Sequence, residues 1–317
     1  MKSRILEFGN LKCRPGEKVQ GMMKFADTGI ESPLTLINGT EDGKVILLTA
    51  GIHGGEYPSI EGVMELAQEL LPQDIRGGMV IFHPINVEGF YERVSGIYPP
   101  SGENLNRQYP GSPDGTVGER FAYALVHDVM EKCDGMIDTH GGDLHEQLPP
   151  YVYYPGVGNQ EVVEQSRLAA SVTKVSYMVK SQCTGNAYHI CNGFGIPSML
   201  LELGGKGLWN RQEVEDYKFN IKNVLRYWSV LEGEVIQPDK PAYVITRAEY
   251  IDAGHSGCWY PQTELEEKVS KGQLLGVIKD FFGNIVEEVH AEFDAIVLFN
   301  TVSLAIKAGD PIITYGI

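Results

Sequence analysis

His53 and Glu56 stand three residues apart in the run Thr49-Ala50-Gly51-Ile52-His53-Gly54-Gly55-Glu56-Tyr57-Pro58, and His140 closes the run Met136-Ile137-Asp138-Thr139-His140. An imidazole nitrogen and a carboxylate oxygen are donors that zinc accepts, each at about 2.0 to 2.2 Å. A lone His-x-x-Glu is a common accident. With a second histidine at the end of another strand it becomes two histidines and one carboxylate, an open three-ligand site that leaves a coordination position for water. One zinc ion per chain is the cofactor this set implies. Asp138, two residues before His140, either orients that ligand through its second nitrogen or caps the loop.

A zinc hydrolase also needs a group that takes a proton from water and hands it to the leaving amine. Glu202 is the candidate, because it ends the otherwise apolar run Pro197-Ser198-Met199-Leu200-Leu201-Glu202. A charge at that place is costly unless it is used or paired, so the alternative is a salt-bridged strand-end glutamate. A long polar loop holds Arg93 and, further on, Asn104-Leu105-Asn106-Arg107-Gln108-Tyr109-Pro110-Gly111. Asn106 and Arg107 offer an amide and a planar bidentate fork suited to a substrate carboxylate. Arg93 could polarise the scissile carbonyl and stabilise the oxyanion. Singly, each arginine reads as a surface residue; the set carries the inference.

These residues need a scaffold that brings strand ends together. From Lys44 to about Glu232 short apolar runs alternate with longer amphipathic ones, the pattern of a largely parallel sheet wrapped by helices. Strands are expected at Val45–Ala50, Met79–Pro84, Gly135–Thr139, Tyr151–Tyr154, Ser176–Lys180 and Ser198–Leu203. Helices are expected after Gly55 and from about Arg211, with Val214, Tyr217, Ile221 and Val224 on one face. Ligands gather at the carboxyl ends of such strands, and glycine-rich turns let residues three apart converge there. After Glu232 the helical period disappears, and Ala242–Thr246, Gln273–Ile278, Ala295–Phe299 and Pro311–Tyr315 read as strands. The expected organisation is a catalytic α/β domain over residues 1–233 and a small β domain, structural or substrate-shaping, over 234–317.

The motifs G-x-H-G-x-E, N-L-N-R-x-x-P-G, D-x-H-G-G-D and L-E-x-G-G occur in the order seen in the succinylglutamate desuccinylase/aspartoacylase family, which the chain resembles from roughly Val45 to Gly207. The resemblance implies a zinc carboxypeptidase-like mixed sheet flanked by helices, with a small C-terminal all-β domain. It further implies His53, Glu56 and His140 as zinc ligands, Glu202 as general base and acid, and Asn106 with Arg107 as carboxylate binders. The spacing around Arg93 departs from that of members acting on N-acetylaspartate. Gly141-Gly142-Asp143 and Glu146 are closer to a bacterial subgroup of N-acyl amino acid deacylases. The activity implied is a zinc-dependent amidohydrolase, a deacylase removing an acyl group from a small N-acyl amino acid or related carboxylate. A metallocarboxypeptidase or peptidoglycan-fragment amidase would use the same metal, and a zinc-fold protein without catalysis would only bind.

Composition narrows the partners. The chain of 317 residues is 43% hydrophobic, enough for a substantial core, and carries 42 acidic against 26 basic side chains, a formal charge of -16. That sign is wrong for phosphate backbones or anionic lipid, so neither nucleic acid nor membrane is expected; the small carboxylate-bearing substrate suggested by Asn106 and Arg107 is still possible, because a metal ion and an arginine in a cleft reverse the local potential. A homo-oligomer is left open. The five cysteines, Cys13, Cys133, Cys183, Cys191 and Cys258, suggest no disulfide framework. Met1–Asn10 lacks a basic stretch followed by an apolar run, and a cytoplasmic protein is expected.

Overall fold

The computed structural model describes residues 4–317; Met1–Ser3, part of the stretch read above for a leader, lie outside the described residues. Apolar residues at alternate positions of the strand Glu41–Ala50 divide between two buried clusters, Ile46, Leu48 and Ala50 in one and Val45 and Leu47 in the other. A strand buried on both faces is typical of a parallel sheet with helices on each side. This one pairs in parallel with Arg76–Pro84 and Gly135–His140.

Those strands occupy the middle of a nine-stranded mixed sheet. Beyond Gly135–His140 come Ser198–Glu202 in parallel, Tyr151–Pro155 antiparallel to it, and then Tyr177–Ser181 and Tyr243–Ile245 in parallel. Beyond Arg76–Pro84 lie Glu31–Asn38 and Lys18–Lys24, both antiparallel. The helices Tyr57–Glu69 and Arg211–Tyr227 supply Ile60, Val63, Leu66, Tyr217, Ile221 and Val224 to one cluster. The helix Val117–Asp128 supplies Phe121, Ala122, Leu125 and Val126 to the other. It starts where Thr116 and Glu119 form a capping box: the Thr116 hydroxyl accepts from the Glu119 N–H, and a Glu119 carboxylate oxygen accepts from the Thr116 N–H. Burial of each Leu or Ile contributes about 1.5–3 kcal/mol, so the strand ends that leave this core are firmly based. The α/β class expected from the sequence, with a mixed sheet flanked by helices and antiparallel β-structure at the C-terminus, is the one observed.

Ala242–Thr246 was expected among the strands of the tail, but Tyr243–Ile245 pairs with Tyr177–Val179 at the edge of the large sheet. A three-residue strand carries no period to name its partner; open edge groups decide it, beginning with the Tyr243 N–H bonded to Ser176 O at 2.9 Å. The residues that follow build two antiparallel sheets around Trp259, Leu275, Ile278, Val297, Ile312 and Tyr315. One of these sheets also takes in Glu146–Gln147, which pairs with Asn300–Thr301. The segment just after His140 is therefore stitched to the C-terminal strands. Among the described residues no helix is long and apolar enough to cross a membrane.

Candidate metal centre and substrate cavity

The strand Glu41–Ala50 delivers its chain to a tight turn. Gly51 has φ +65°, and a Cβ there would lie 2.8 Å from Pro84 Cα; a Cβ on Gly54 would lie 2.2 Å from the carbonyl carbon of Gly89. Only glycine fits this close path, which turns His53 and Glu56 back toward His140 at the end of Gly135–His140. His53 Nδ1 is 2.8 Å from Glu56 Oε1, and His140 Nδ1 is 3.1 Å from Glu56 Oε2. One donor atom from each of the three residues lies within 4.8 Å of the other two. Glu56 and His140 are each 2% exposed and line a cavity.

Proton accounting tests whether a metal fits. Asn104 Oδ1 accepts from the Asn106 N–H at 2.9 Å, which identifies that atom as oxygen, and the same oxygen lies 3.1 Å from His53 Nε2. The His53 proton is thereby assigned to Nε2, and Nδ1 presents a lone pair to a carboxylate oxygen. On the other side His140 Nε2 lies 3.3 Å from Asp138 Oδ2, while Asp138 Oδ1 accepts from the Thr49 hydroxyl at 2.6 Å. The Asp138 carboxylate favours the proton on Nε2, with Asp138 Oδ2, like Glu56 Oε2, buried without a hydrogen-bond partner and Asn106 Nδ2 also 3.3 Å from that nitrogen. Two lone pairs and a carboxylate then converge with no proton among them, and Glu56 Oε2 is buried without a hydrogen-bond partner although His140 Nδ1 is close. Burial opposes the charged form of His140, but Glu56 and Asp138 more than reverse this and hold its pKa well above the ordinary value. Burial likewise pushes Glu56 up, and His140 and His53 overcome it, bringing Glu56 to about 2. The residues fit a divalent cation with nitrogen and oxygen ligands.

Glu202 ends Ser198–Glu202 in register with His140 on the adjoining strand. It faces the cavity, but its Oε2 is enclosed and has no hydrogen-bond partner. Burial, the largest influence, raises its pKa well above the carboxylate range; His140 opposes the shift, while Glu56 and Glu146 add to it. Tyr217, on the helix Arg211–Tyr227, ties the two strand ends together: its hydroxyl donates to His140 O and accepts from the Leu203 N–H at 2.8 Å.

Asn106 and Arg107 lie on the short 3-10 turn Leu105–Arg107 and line the same cavity. Asn106 is wedged behind His140, its Nδ2 3.3 Å from His140 Nε2 and its Oδ1 accepting from the Ala187 N–H at 3.4 Å. Arg107 opens to the cavity, with one N–H bonded to Asn106 O at 3.1 Å. Arg93 is not brought to this place. It ends the helix Val87–Glu92 in a left-handed conformation, φ 53°, exposed and outside the lining.

Several contributors carry no role in the sequence reading, where Asp143 and Glu146 appear only as marks of a bacterial subgroup. Asn104 backs His53. Asp143 staples two loops, one oxygen accepting from the Gly96 N–H and the other from the Leu144 N–H, both at 2.7 Å. Glu146 accepts from the Asp143 N–H at 3.1 Å, and burial above all raises its pKa to about 7. Asn104 lies inside the N-L-N-R motif and Asp143 inside D-x-H-G-G-D, so a signal for both was present. Tyr250, Asp252, Thr301 and Asp310, which come from the C-terminal strands and loops, carry none.

The cavity has a volume of about 770 Å³. Arg107 is its one lysine or arginine among the described residues, against Asp143, Glu146, Asp252 and Asp310 in addition to Glu56 and Glu202. A more open groove of about 940 Å³, bordered by Tyr177, Tyr243, Glu266 and Lys268, contains none of the three cluster residues.

Residues 42–228 match the model of the succinylglutamate desuccinylase/aspartoacylase catalytic domain. The chain is 26% identical over 290 residues to the N-alpha-acetyl-L-2,4-diaminobutyric acid deacetylase of Halomonas elongata, covering 88% of this chain and 84% of that protein. Among solved structures, the product-bound ectoine utilization protein of Ruegeria pomeroyi superposes with a TM-score of 0.86 at 24% identity, over 100% of both chains. The succinylglutamate desuccinylase/aspartoacylase of Rhodobacter sphaeroides superposes with a TM-score of 0.84 at 23% identity, over 99% of both.

Proposed function

The chain belongs to the succinylglutamate desuccinylase/aspartoacylase family, and from that premise we propose that it is a zinc-dependent amidohydrolase that removes an acyl group, acetyl first among them, from a small N-acyl diamino acid. The observation that carries this reading is the convergence of His53, Glu56 and His140 beside Glu202 in one cavity. His53, Glu56 and His140 would hold the zinc, which when bound would supply Lewis acidity to the reaction.

The chain's own groups do the rest. Glu202 takes a proton from the attacking water as its oxygen bonds to the carbonyl carbon, then delivers that proton to the nitrogen as the C–N bond breaks. An acid and an amine are the products. Glu202, in register with His140 at the strand end and facing the cavity, is placed to hold the proton between those two steps. Arg107 grips the substrate carboxylate through its paired N–H groups, and Asn106 supports the turn that presents it. Arg93, outside the cavity, takes no part.

Two observations favour a diamino acid over a dicarboxylate. The Halomonas elongata relative is named for N-alpha-acetyl-L-2,4-diaminobutyric acid, and Asp252 and Asp310 add acidic groups to the cavity wall against Arg107 alone. A second ammonium on the substrate suits such walls, whereas a second carboxylate would be repelled.

The test is zinc content by elemental mass spectrometry together with acetate release. About one zinc per chain, and a higher kcat/KM for N-acetyl-diaminobutyrate than for N-acetylaspartate, is the expected result. Failure to bind zinc after reconstitution would overturn the metal reading. Release of C-terminal residues from peptides, with no action on N-acyl amino acids, would replace the deacylase by a carboxypeptidase.

A further inference from the structure

We propose that Asn104 is a positioning residue that joins the metal ligand His53 to the substrate-gripping turn, and that its neutral amide keeps this ligand a weaker donor than His140. The proposal rests on the metal reading above. Its basis is a single atom. Asn104 Oδ1 lies 3.1 Å from His53 Nε2 and 2.9 Å from the Asn106 backbone nitrogen, so both of its lone pairs are engaged. Asn104 O accepts from the Arg107 N–H at 3.1 Å and from Gln108 Nε2 at 3.1 Å. The Asn104 side chain therefore ties the His53 ring to the Asn106 backbone, and its main-chain carbonyl holds the neighbouring Arg107 N–H.

The two histidines are backed differently. Behind His140 stands the carboxylate of Asp138, 3.3 Å from Nε2 and anchored by Thr49. Behind His53 stands an amide oxygen. A carboxylate draws on the imidazole N–H more strongly than an amide does, which makes the opposite nitrogen a better donor to a metal. The neutral partner also spares the site a further negative charge beside Glu56 and Asp138, 3.1 and 3.3 Å from the His140 nitrogens. Metal and substrate carboxylate are thus held next to each other without excess anionic charge at the reacting carbonyl.

The decisive variant is Asn104→Asp, which keeps shape and both acceptor contacts while changing only charge. Zinc affinity, measured by competition with a chromogenic chelator, should rise about 10-fold over wild type, at the lower end of the effect of changing a ligand's partner. At saturating zinc kcat should fall while KM for the N-acyl substrate changes less. Asn104→Ala removes the acceptor altogether, and zinc affinity should fall about 10- to 100-fold with a raised KM. A merely structural role would lower thermal stability in both variants and would not move zinc affinity in opposite directions. Zinc affinity in Asn104→Asp equal to or below wild type overturns the proposal, with the metal reading intact. Absence of zinc from the wild-type protein overturns both together.

Discussion

His53, Glu56 and His140 hang from the ends of strands at the middle of a nine-stranded sheet, whereas much of the remaining cavity wall consists of the loop around residues 95–107 and of residues that follow Arg247. The first region inherits its rigidity from two apolar clusters and from the Tyr217 hydroxyl that pins His140 O and Leu203 N. The second is held by polar staples, among them Asp143 to Gly96 and the pairing of Glu146–Gln147 with Asn300–Thr301. Chemistry common to many substrates is thus placed on the core, and selection among substrates on loops and on a distant part of the chain, where change costs little stability.

This contrast predicts that the two regions separate kinetically. Glu202→Gln keeps the shape of the strand end but cannot shuttle a proton, so kcat should fall by about 10²- to 10⁴-fold with zinc content unchanged. Wild-type turnover in that variant would remove Glu202 from the mechanism. Arg107→Ala, on the loop side, should leave zinc content unchanged and raise KM for a carboxylate-bearing substrate by about 10- to 100-fold, the scale of a lost charged hydrogen bond. If kcat fell instead with KM unaltered, Arg107 would act on the reacting carbonyl and not on the carboxylate. The division between the regions would then break.

The same contrast explains what the sequence made legible. The strands that end at Ala50, His140 and Glu202 are short apolar runs followed by polar or glycine-rich stretches, and each lies within two residues of its expected position apart from the extension of the first back to Glu41. Lys18–Lys24 and Glu31–Asn38 were not expected as strands: Gly21 interrupts one and Pro33 the other, and both earn their place by antiparallel pairing, which local pattern does not reveal. Arg93 was read from its type and neighbourhood, yet the short helix Val87–Glu92 ends in a left-handed residue there and turns it outward. Tyr250, Asp252 and Asp310 reach the cavity only through tertiary packing, more than 100 residues along the chain from His53, Glu56 and His140, and no spacing announces them.

The smallest expected effect tests whether the core side also depends on charge. The helix Tyr57–Glu69, which starts directly after Glu56, is tied to the helix Arg211–Tyr227 by Glu65, 2.6 Å from Arg211 Nη1 and 2.9 Å from Lys218 Nζ. Hydrogen bonds from Arg211 and Lys218 bring the Glu65 pKa down to about 2, outweighing its partial burial. A carboxylate with a pKa lower in the folded than in the unfolded chain stabilises fully above the unfolded value, near 4.5, and loses that contribution as pH falls toward 2. The Glu65 side chain is 22% exposed, so solvent screens the pair and the contribution is on the order of 1 kcal/mol or less. Between pH 5 and pH 2 the wild-type Tm should therefore drop more steeply than that of Glu65→Gln, and added salt should narrow the gap. Identical slopes would mean that apolar packing between Tyr217 and the first helix holds the two helices together unaided, and that the metal side of the cavity is insulated from surface charge.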